Sequence, residues 1–516
     1  MASRRATKTT AKRRFAFSST RAAACTAILA ALLSNCLPRK GRPRSLKGRI
    51  VSEFRTLPRL LVAGMSGGSG KTLVALGLLL SLRRAGVPVR AFKKGPDYID
   101  AAWLSWASGH AARNLDTYLM GADTILSSFV DHGLSDGINV IEGARGLYDG
   151  FDVNGSHSSA VLSKHLKTPV VIVVNAAKVT RTAAAHVLGC QKLDPEVPIR
   201  GVILNNVNGR RHEQILRGSI EAVCSIPVVG AIPKAAAGHP LPERHLGLIP
   251  PEEHSDLEEL GHALLEVVGD FIDLDALVAM ARSAVPLEVV ARETAPLPSV
   301  RDVKIGYLKD SAFSFYYPEN LEMLERAGAE LIPISALEAA ALPGDLNALY
   351  IGGGFPETHA AALSANRTFL GSLRRAAEEG LPIYAECGGL MLLSRALTWK
   401  GARYEMADVF PFEVEVSETA QGHGYIELQV DTANPFFSTG TALRGHEFHY
   451  SRIAPQSDWT ETACEVRRGT GCFKGRDAAL IKNVWAGYTH LHALATPQWA
   501  QGVIGAARSF AVHPVL

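Results

Sequence analysis

Short, uniformly apolar runs recur through the first half of the chain, at residues 60–63, 138–141, 169–175, 199–206 and 227–233. Their β-branched residues follow one another instead of alternating with polar ones, which is the pattern of strands buried on both faces of a parallel sheet. Residues 73–84 place Leu and Val at helical spacing soon after the first run, so strand and helix alternate and predict a doubly wound α/β domain. The pattern lapses over residues 283–301, where Pro286, Pro296 and Pro298 break any periodicity, and a linker is expected there. It resumes with a strand at 303–307, a helix at 318–327, a strand at 348–351, and a strand, sharp turn and helix across 381–393. The expected organisation is a basic N-terminal extension (1–56), a first α/β domain (57–282), a linker (283–302), a second α/β domain (303–507) and a short tail (508–516).

Composition narrows the class. The 516 residues are 47% hydrophobic and 20% charged, enough to bury the cores of two or three domains and too apolar for a mainly disordered chain. The one membrane-like run, residues 22–33, is shorter than the roughly 20 residues a bilayer span needs. Residues 1–50 hold 13 Lys/Arg and no Asp/Glu, which leaves 41 basic against 50 acidic residues elsewhere. A net-acidic body argues against a broad nucleic-acid surface, so neither nucleic acid nor membrane is an expected partner. Leu33-Ser34-Asn35-Cys36 imitates the end of an export signal, but Asn35 is a poor residue before a lipidated cysteine and no twin-arginine consensus surrounds Arg13 and Arg14. The segment is read as an extension preceding the fold. Seven cysteines without a CxxC pair indicate neither a disulfide framework nor a zinc site, and a reducing cytoplasm fits them best.

Between the first strand and its helix lies Gly64-Met65-Ser66-Gly67-Gly68-Ser69-Gly70-Lys71-Thr72. In that setting backbone N–H groups wrap the β- and γ-phosphates of a nucleotide. Lys71 would reach the transferring phosphate of ATP and Thr72 would ligate Mg²⁺, with Gly64, Gly67, Gly68, Ser69 and Gly70 completing the cradle. Carboxylates follow. Asp97 lies in Lys93-Lys94-Gly95-Pro96-Asp97-Tyr98-Ile99-Asp100, Asp116 in Asn114-Leu115-Asp116, and Glu142 and Asp149 bracket Gly143-Ala144-Arg145-Gly146-Leu147-Tyr148. Glu142 follows a predicted strand, where carboxyl ends converge beside the phosphate loop, and is placed to hold Mg²⁺ with Thr72. Asx turns are the competing explanation for Asp97 and Asp149.

The second domain carries different chemistry. Gly352-Gly353-Gly354-Phe355-Pro356-Glu357 follows a strand, so the N–H groups of Gly353 and Gly354, with Gly388, can face an anionic oxygen. Cys387 stands at the turn of a strand–turn–helix unit, which exposes a nucleophile at a helix N-terminus and is expected to lower its thiol pKa. A base is offered by Gly487-Tyr488-Thr489-His490-Leu491-His492, through either His490 or His492. His446 and His449 flank Glu447, but i and i+3 in a strand point to opposite faces, which argues against a metal there.

These motifs carry a specific resemblance. The longer phosphate loop, opened by Gly64 with Met65 in the usual glycine's place, is similar to that of the P-loop enzymes that phosphorylate carboxylates, such as dethiobiotin synthetase. The loop, the 94–100 motif, 114–116, 141–150 and 241–248 together resemble, in order and spacing, the synthetase half of cobyrinate a,c-diamide synthases; Arg145 departs from the expected Met. Residues 303–507 resemble a class I glutamine amidotransferase domain, and the Tyr-x-His pattern assigns the base to His490. The usual acid two residues later is replaced by His492, so no third triad member is assigned. Gly445-His446-Glu447-Phe448 is similar to the a,c-diamide branch. The resemblance implies a P-loop doubly wound parallel-sheet domain followed by a glutamine amidotransferase α/β domain. It also implies catalytic roles for Cys387, His490, Asp97, Glu142 and Asp149, and substrate contacts from Asp116 and His446. The implied activity is ATP-dependent amidation of the a and c carboxylates of cobyrinate in cobalamin biosynthesis, with L-glutamine or free ammonia as nitrogen source. Hydrogenobyrinate or nickel sirohydrochlorin is the alternative substrate, and a partition-type nucleotide-switch ATPase the alternative class.

Overall fold

The computed structural model describes residues 52–234, 241, 243–244, 247–290, 301–457 and 459–512. Seven parallel strands form the first sheet in the order Arg113–Leu115, Val89–Lys94, Ile138–Gly146, Arg59–Gly64, Val170–Asn175, Ile199–Val207, Val228–Pro233. Arg59–Gly64, central in the sheet, is buried along its whole length, as its unbroken apolar run requires once helices cover both faces. The phosphate loop leaves its carboxyl end and enters the helix Lys71–Arg84.

The second sheet has nine strands. Five are parallel, in the order Ala329–Ile334, Val303–Leu308, Ala348–Ile351, Ile383–Glu386, Val484–Gly487. Arg476–Ile481, Thr462–Arg468, Gly422–Val430 and Ala442–His449 extend it antiparallel. A separate four-stranded sheet (Ala402–Glu405, Ala396–Trp399, Glu413–Val416, Ser451–Ile453) packs beyond the cysteine turn. The adjacent strands Ala348–Ile351, Ile383–Glu386 and Val484–Gly487 lead directly into the glycine triplet, Cys387 and the His490 segment. Three distant stretches of sequence thus meet along one sheet edge, since neighbouring strands lie only about 4.8 Å apart.

The fold alters the expected boundaries at both ends. Ser52–Arg55 pairs antiparallel with Leu287–Val290, so residues placed in the extension and the linker form one ribbon. It forms because Leu287 and Val289 turn inward, at 2% and 8% exposure, and join the core of the first domain. Residues 1–51 and 291–300 lie outside the described residues, as do Pro242, His245 and Leu246 of the 241–248 motif. At the other end, the helix Gln498–Val512 runs through residue 507. Trp499, Val503, Ile504 and Ala507 keep one buried stripe, and Arg508 of the supposed tail donates from Nε and Nη2 to Asp302 at 2.7 and 3.0 Å. Among the described residues no helix is long and apolar enough to cross a membrane.

Arg59 holds the entry to the first sheet. Fully buried, its guanidinium donates to the carbonyl oxygens of Leu57 (2.9 Å), Leu166 (2.7 Å), Lys167 (3.2 Å) and Val285 (2.7 Å). Burial lowers its pKa to about 10, so the charge persists at neutral pH. Arg59→Ala orphans these carbonyls and leaves a void, and should destabilise the first domain by about 3 kcal/mol or more. Urea unfolding followed in that domain checks this.

Candidate active site

In the phosphate loop, the opening glycine is required sterically. A Cβ on Gly64 would lie 2.8 Å from the Ser66 carbonyl oxygen and would also meet Ser69 Oγ. Asn205 Nδ2 donates to the Ser69 carbonyl at 3.1 Å and ties the loop to a neighbouring strand. Gly67, Gly68 and Gly70 complete the bend, and Gly67 and Lys71 line a cavity of about 520 Å³. Thr72 Oγ1 donates to Glu142 Oε1 at 2.5 Å, so the two residues expected to share Mg²⁺ face each other. Glu142 is fully buried, its Oε2 has no partner in the structure, and burial pushes its pKa up to about 7 against the pull of Lys93. Lys93 is also buried and is held charged by Asp100 (2.5 Å) and Glu142 (3.2 Å). An unpartnered oxygen beside a hydroxyl at the mouth of a phosphate loop fits a divalent cation.

Asp97 and Asp149 both line the cavity and both also make the turns that competed for them. Asp97 Oδ1 caps the helix Tyr98–Ser108, accepting from Asp100 N at 2.8 Å, and Asp149 Oδ2 accepts from Gly146 N at 2.9 Å. Asp116 does not reach the cavity. Its Oδ1 accepts from the N–H groups of Tyr118 and Leu119 (2.8 and 2.9 Å) and its Oδ2 from the Tyr425 hydroxyl of the second domain (2.7 Å). This fully buried carboxylate ties the Asn114-Leu115-Asp116 segment to the second domain.

The same cavity continues to Cys387, His446 and His490. Cys387 adopts φ +49°, ψ −98°, a strained turn that aims the side chain away from the strand direction. The expected lowering of its pKa does not result from these surroundings. Burial pushes the thiol up and the Glu357 carboxylate adds to this, while a backbone N–H from Gly388 only partly opposes them. The following helix, Gly388–Leu393, has six residues, too few for a strong dipole. The resting group is a thiol that needs a base.

Gly353, Gly354 and Gly388 come together as expected: a Cβ on Gly388 would lie 3.2 Å from Gly354 N. Gly352 cannot serve beside them, since its N–H donates to the Tyr316 hydroxyl at 2.8 Å. His490 Nε2 is turned toward Gly353, and its Nδ1 lies 3.3 Å from Glu386 Oε2. His446 exchanges both backbone hydrogen bonds with His490 (3.1 and 2.8 Å), and their rings stack at 4.9 Å. Buried His446 is held neutral, its pKa pushed well below the usual value. His492 faces elsewhere, its ring tilted against that of Tyr317 at 4.4 Å.

Between the two halves stands Tyr98, whose ring meets Phe315 (5.2 Å), Tyr317 (4.4 Å), His446 (5.6 Å) and His490 (5.3 Å). Tyr98, Lys94, Glu357 and Arg468 are not singled out by motif reasoning, although the first three stand inside motifs that are. Lys94 was legible as the second of two lysines closing a buried strand. Nothing local marks Arg468.

A phosphate loop beside the buried Glu142 carboxylate, open to the same cavity as a cysteine–histidine centre, defines a nucleotide-binding domain fused to a glutamine amidotransferase. Residues 60–249 match the CobQ/CobB/MinD/ParA nucleotide binding domain, and residues 304–498 the CobB/CobQ-like glutamine amidotransferase domain. The cobyrinate a,c-diamide synthase of Magnetococcus marinus is 42% identical over 449 residues, covering 86% of this chain and 96% of the relative. Those of Listeria innocua and Archaeoglobus fulgidus are 38% and 37% identical, covering 87% and 85% of this chain and 99% and 95% of the relatives. The chain belongs to the cobyrinate a,c-diamide synthase family of amidoligases.

Gly353 tests the geometry of the cysteine centre. A Cβ there would lie 2.7 Å from His490 Cε1, so Gly353→Ala should displace the imidazole and lower glutamine hydrolysis about 10²-fold, while leaving ammonium-dependent synthesis intact. Glutamate release and product formation, assayed separately, check this.

Proposed function

We propose that the chain amidates the a and c carboxylates of cobyrinate in succession, with one ATP consumed and one glutamine hydrolysed for each. The observation that carries this reading is the single cavity joining Lys71, Asp97 and Asp149 to Cys387 and His490. A carboxylate resists amines because its oxygen is a poor leaving group, so it is first phosphorylated by the γ-phosphoryl of ATP. Lys71 neutralises charge on the transferring group. Thr72 and Glu142 would hold Mg²⁺, which when bound supplies charge compensation on the nucleotide phosphates. Cys387 gives its proton to His490 and attacks the glutamine amide, with Gly353, Gly354 and Gly388 facing the oxyanion. His490 then returns the proton to the leaving nitrogen, so ammonia departs and a thioester remains for water to hydrolyse. Ammonia displaces phosphate from the activated carboxylate. Cytoplasmic residence follows from the need for ATP.

The rim of the cavity favours a large, flat polyanion. Arg468 lies over the Phe151 ring at 4.2 Å, and Arg145 lines the same wall, one arginine from each domain. Cobyrinate is a macrocycle bearing several carboxylates, and a guanidinium pair beside an aromatic face suits it.

Product masses from cobyrinate, ATP and glutamine test the proposal: two amides should be added, with the monoamide transient. Unchanged cobyrinate beside diamidated hydrogenobyrinate or nickel sirohydrochlorin would replace the substrate but keep the mechanism. Cys387→Ala should end glutamine use and spare synthesis from ammonium, whereas Lys71→Ala should end synthesis from either source. For the rim, Arg145→Met and Arg468→Ala should each raise KM for the macrocycle about fivefold, as expected for exposed charge contacts of about 1 kcal/mol, with glutaminase kcat unchanged.

A further inference from the structure

The family pattern leaves His490 without its usual acid, and the structure shows what stands in the gap. His492, at the position where the acid is expected, is turned away. Its Nδ1 accepts from Leu494 N at 3.2 Å, and its Nε2 lies 3.7 Å from Glu319 Oε2 in a separate buried cluster with Arg113. The carboxylate that does meet His490 comes from the residue before the nucleophile. Glu386 ends the strand Ile383–Glu386, in register with Gly487 of the neighbouring strand. It is fully buried, and its Oε2 lies 3.3 Å from His490 Nδ1.

We infer that Glu386 is the positioning carboxylate of the glutaminase centre, supplied from the nucleophile strand in place of the absent triad acid. This rests on the reading of Cys387 and His490 given above and adds a residue to it. Three donors converge on the carboxylate: Leu491 N at 3.2 Å on Oε1, and the Tyr350 hydroxyl (3.3 Å) and His490 Nδ1 on Oε2. A carboxylate can only accept, so the proton of neutral His490 is placed on Nδ1 and the Nε2 lone pair is left toward Gly353 and the cavity. That is the tautomer a base for Cys387 needs. When the thiol proton arrives on Nε2, both ring nitrogens carry hydrogen and the adjacent Glu386 charge stabilises the imidazolium. The stabilisation matters here because Cys387 rests as a buried thiol. The elbow explains how consecutive residues serve one reaction: Glu386 keeps the strand conformation, and Cys387, at φ +49°, turns into the cavity.

The test separates positioning from mere structure. Glu386→Gln preserves shape and can still accept from Leu491, but it can place an N–H against Nδ1 and so reverse the tautomer. Glutaminase kcat should fall about 10²- to 10⁴-fold with KM for glutamine little changed and ammonium-dependent synthesis retained. The titratable groups facing His490 are Glu386, His446 and Tyr98, with Cys387 and Glu357 on the same cavity, and Glu386 is the carboxylate in contact with the ring. Its loss should therefore move the acid limb of the remaining glutaminase profile to lower pH, while Glu386→Asp should recover part of the rate. A kcat within threefold of the parent, or a parallel loss of ammonium-dependent synthesis, would overturn the role. If the variants do not fold, ¹⁵N ring shifts of His490 in the unmodified chain decide the question, assigned against His490→Gln. A neutral ring protonated on Nδ1 supports the inference, and one protonated on Nε2 refutes it.

Discussion

The packing of one tyrosine against the opposite domain organises the rest of the molecule. Tyr98 opens the helix capped by Asp97 and is held by aromatic rings of the second domain, while the Tyr317 hydroxyl donates to Pro96 O at 2.9 Å from the other side. Each ring pair contributes about 0.5–1.5 kcal/mol beyond area burial, so several together fix this loop firmly. Because Asp97 is the neighbouring residue and its side chain is committed to the helix cap, anchoring Tyr98 also sets where Asp97 meets the cavity. The seam is part of the site.

Buried charge reinforces it. Arg113 of the first sheet reaches Glu322 at 2.5 Å and Glu319 at 3.8 Å on the helix Pro318–Arg326, and Tyr118 donates to Glu427 at 2.7 Å. Such pairs add little net stability, because desolvation offsets most of the attraction, yet breaking one partner is costly. Their effect is to penalise other docking geometries. An apolar seam could slide by a residue at small cost, whereas this one would orphan Asp116, Arg113 or Glu319.

Legibility in the sequence followed the range of the interaction. The phosphate loop, the cysteine elbow and the buried parallel strands are local, and a run such as Val170-Val171-Ile172-Val173-Val174 admits few alternatives to a central strand. The hydrogen bond between Asp116 and Tyr425 spans 309 residues, and no spacing announces such a pairing. The Ser52–Arg55 ribbon was lost for the same reason, since its complement lies in a proline-bounded stretch that resembles a linker. The thiol was misjudged from topology. A strand–turn–helix motif suggests a dipole, but burial depth and the Glu357 charge are tertiary facts, and they outweigh six residues of helix.

The chemistry demanded of the cavity accounts for the character of its walls. Ammonia attacks an acyl phosphate only while unprotonated, so groups beside the cysteine centre that do not give up protons leave it reactive. His446, beside the cysteine centre, is held neutral by burial, and the Tyr98 phenol keeps its proton because the same desolvation raises its pKa well above the usual value. Neither donates readily at neutral pH. Charge returns at the synthetase end, where Lys94, its pKa lowered by burial, and Lys71 face the cavity beside the phosphate loop. An amine leaving Cys387 would thus pass Glu357, His446 and Tyr98 before meeting Lys94 and Lys71, which share their end of the cavity with Asp97 and Asp149. The lysines there attract the phosphorylated carboxylate, which draws the electrophile to the end of the cavity where the bond must form.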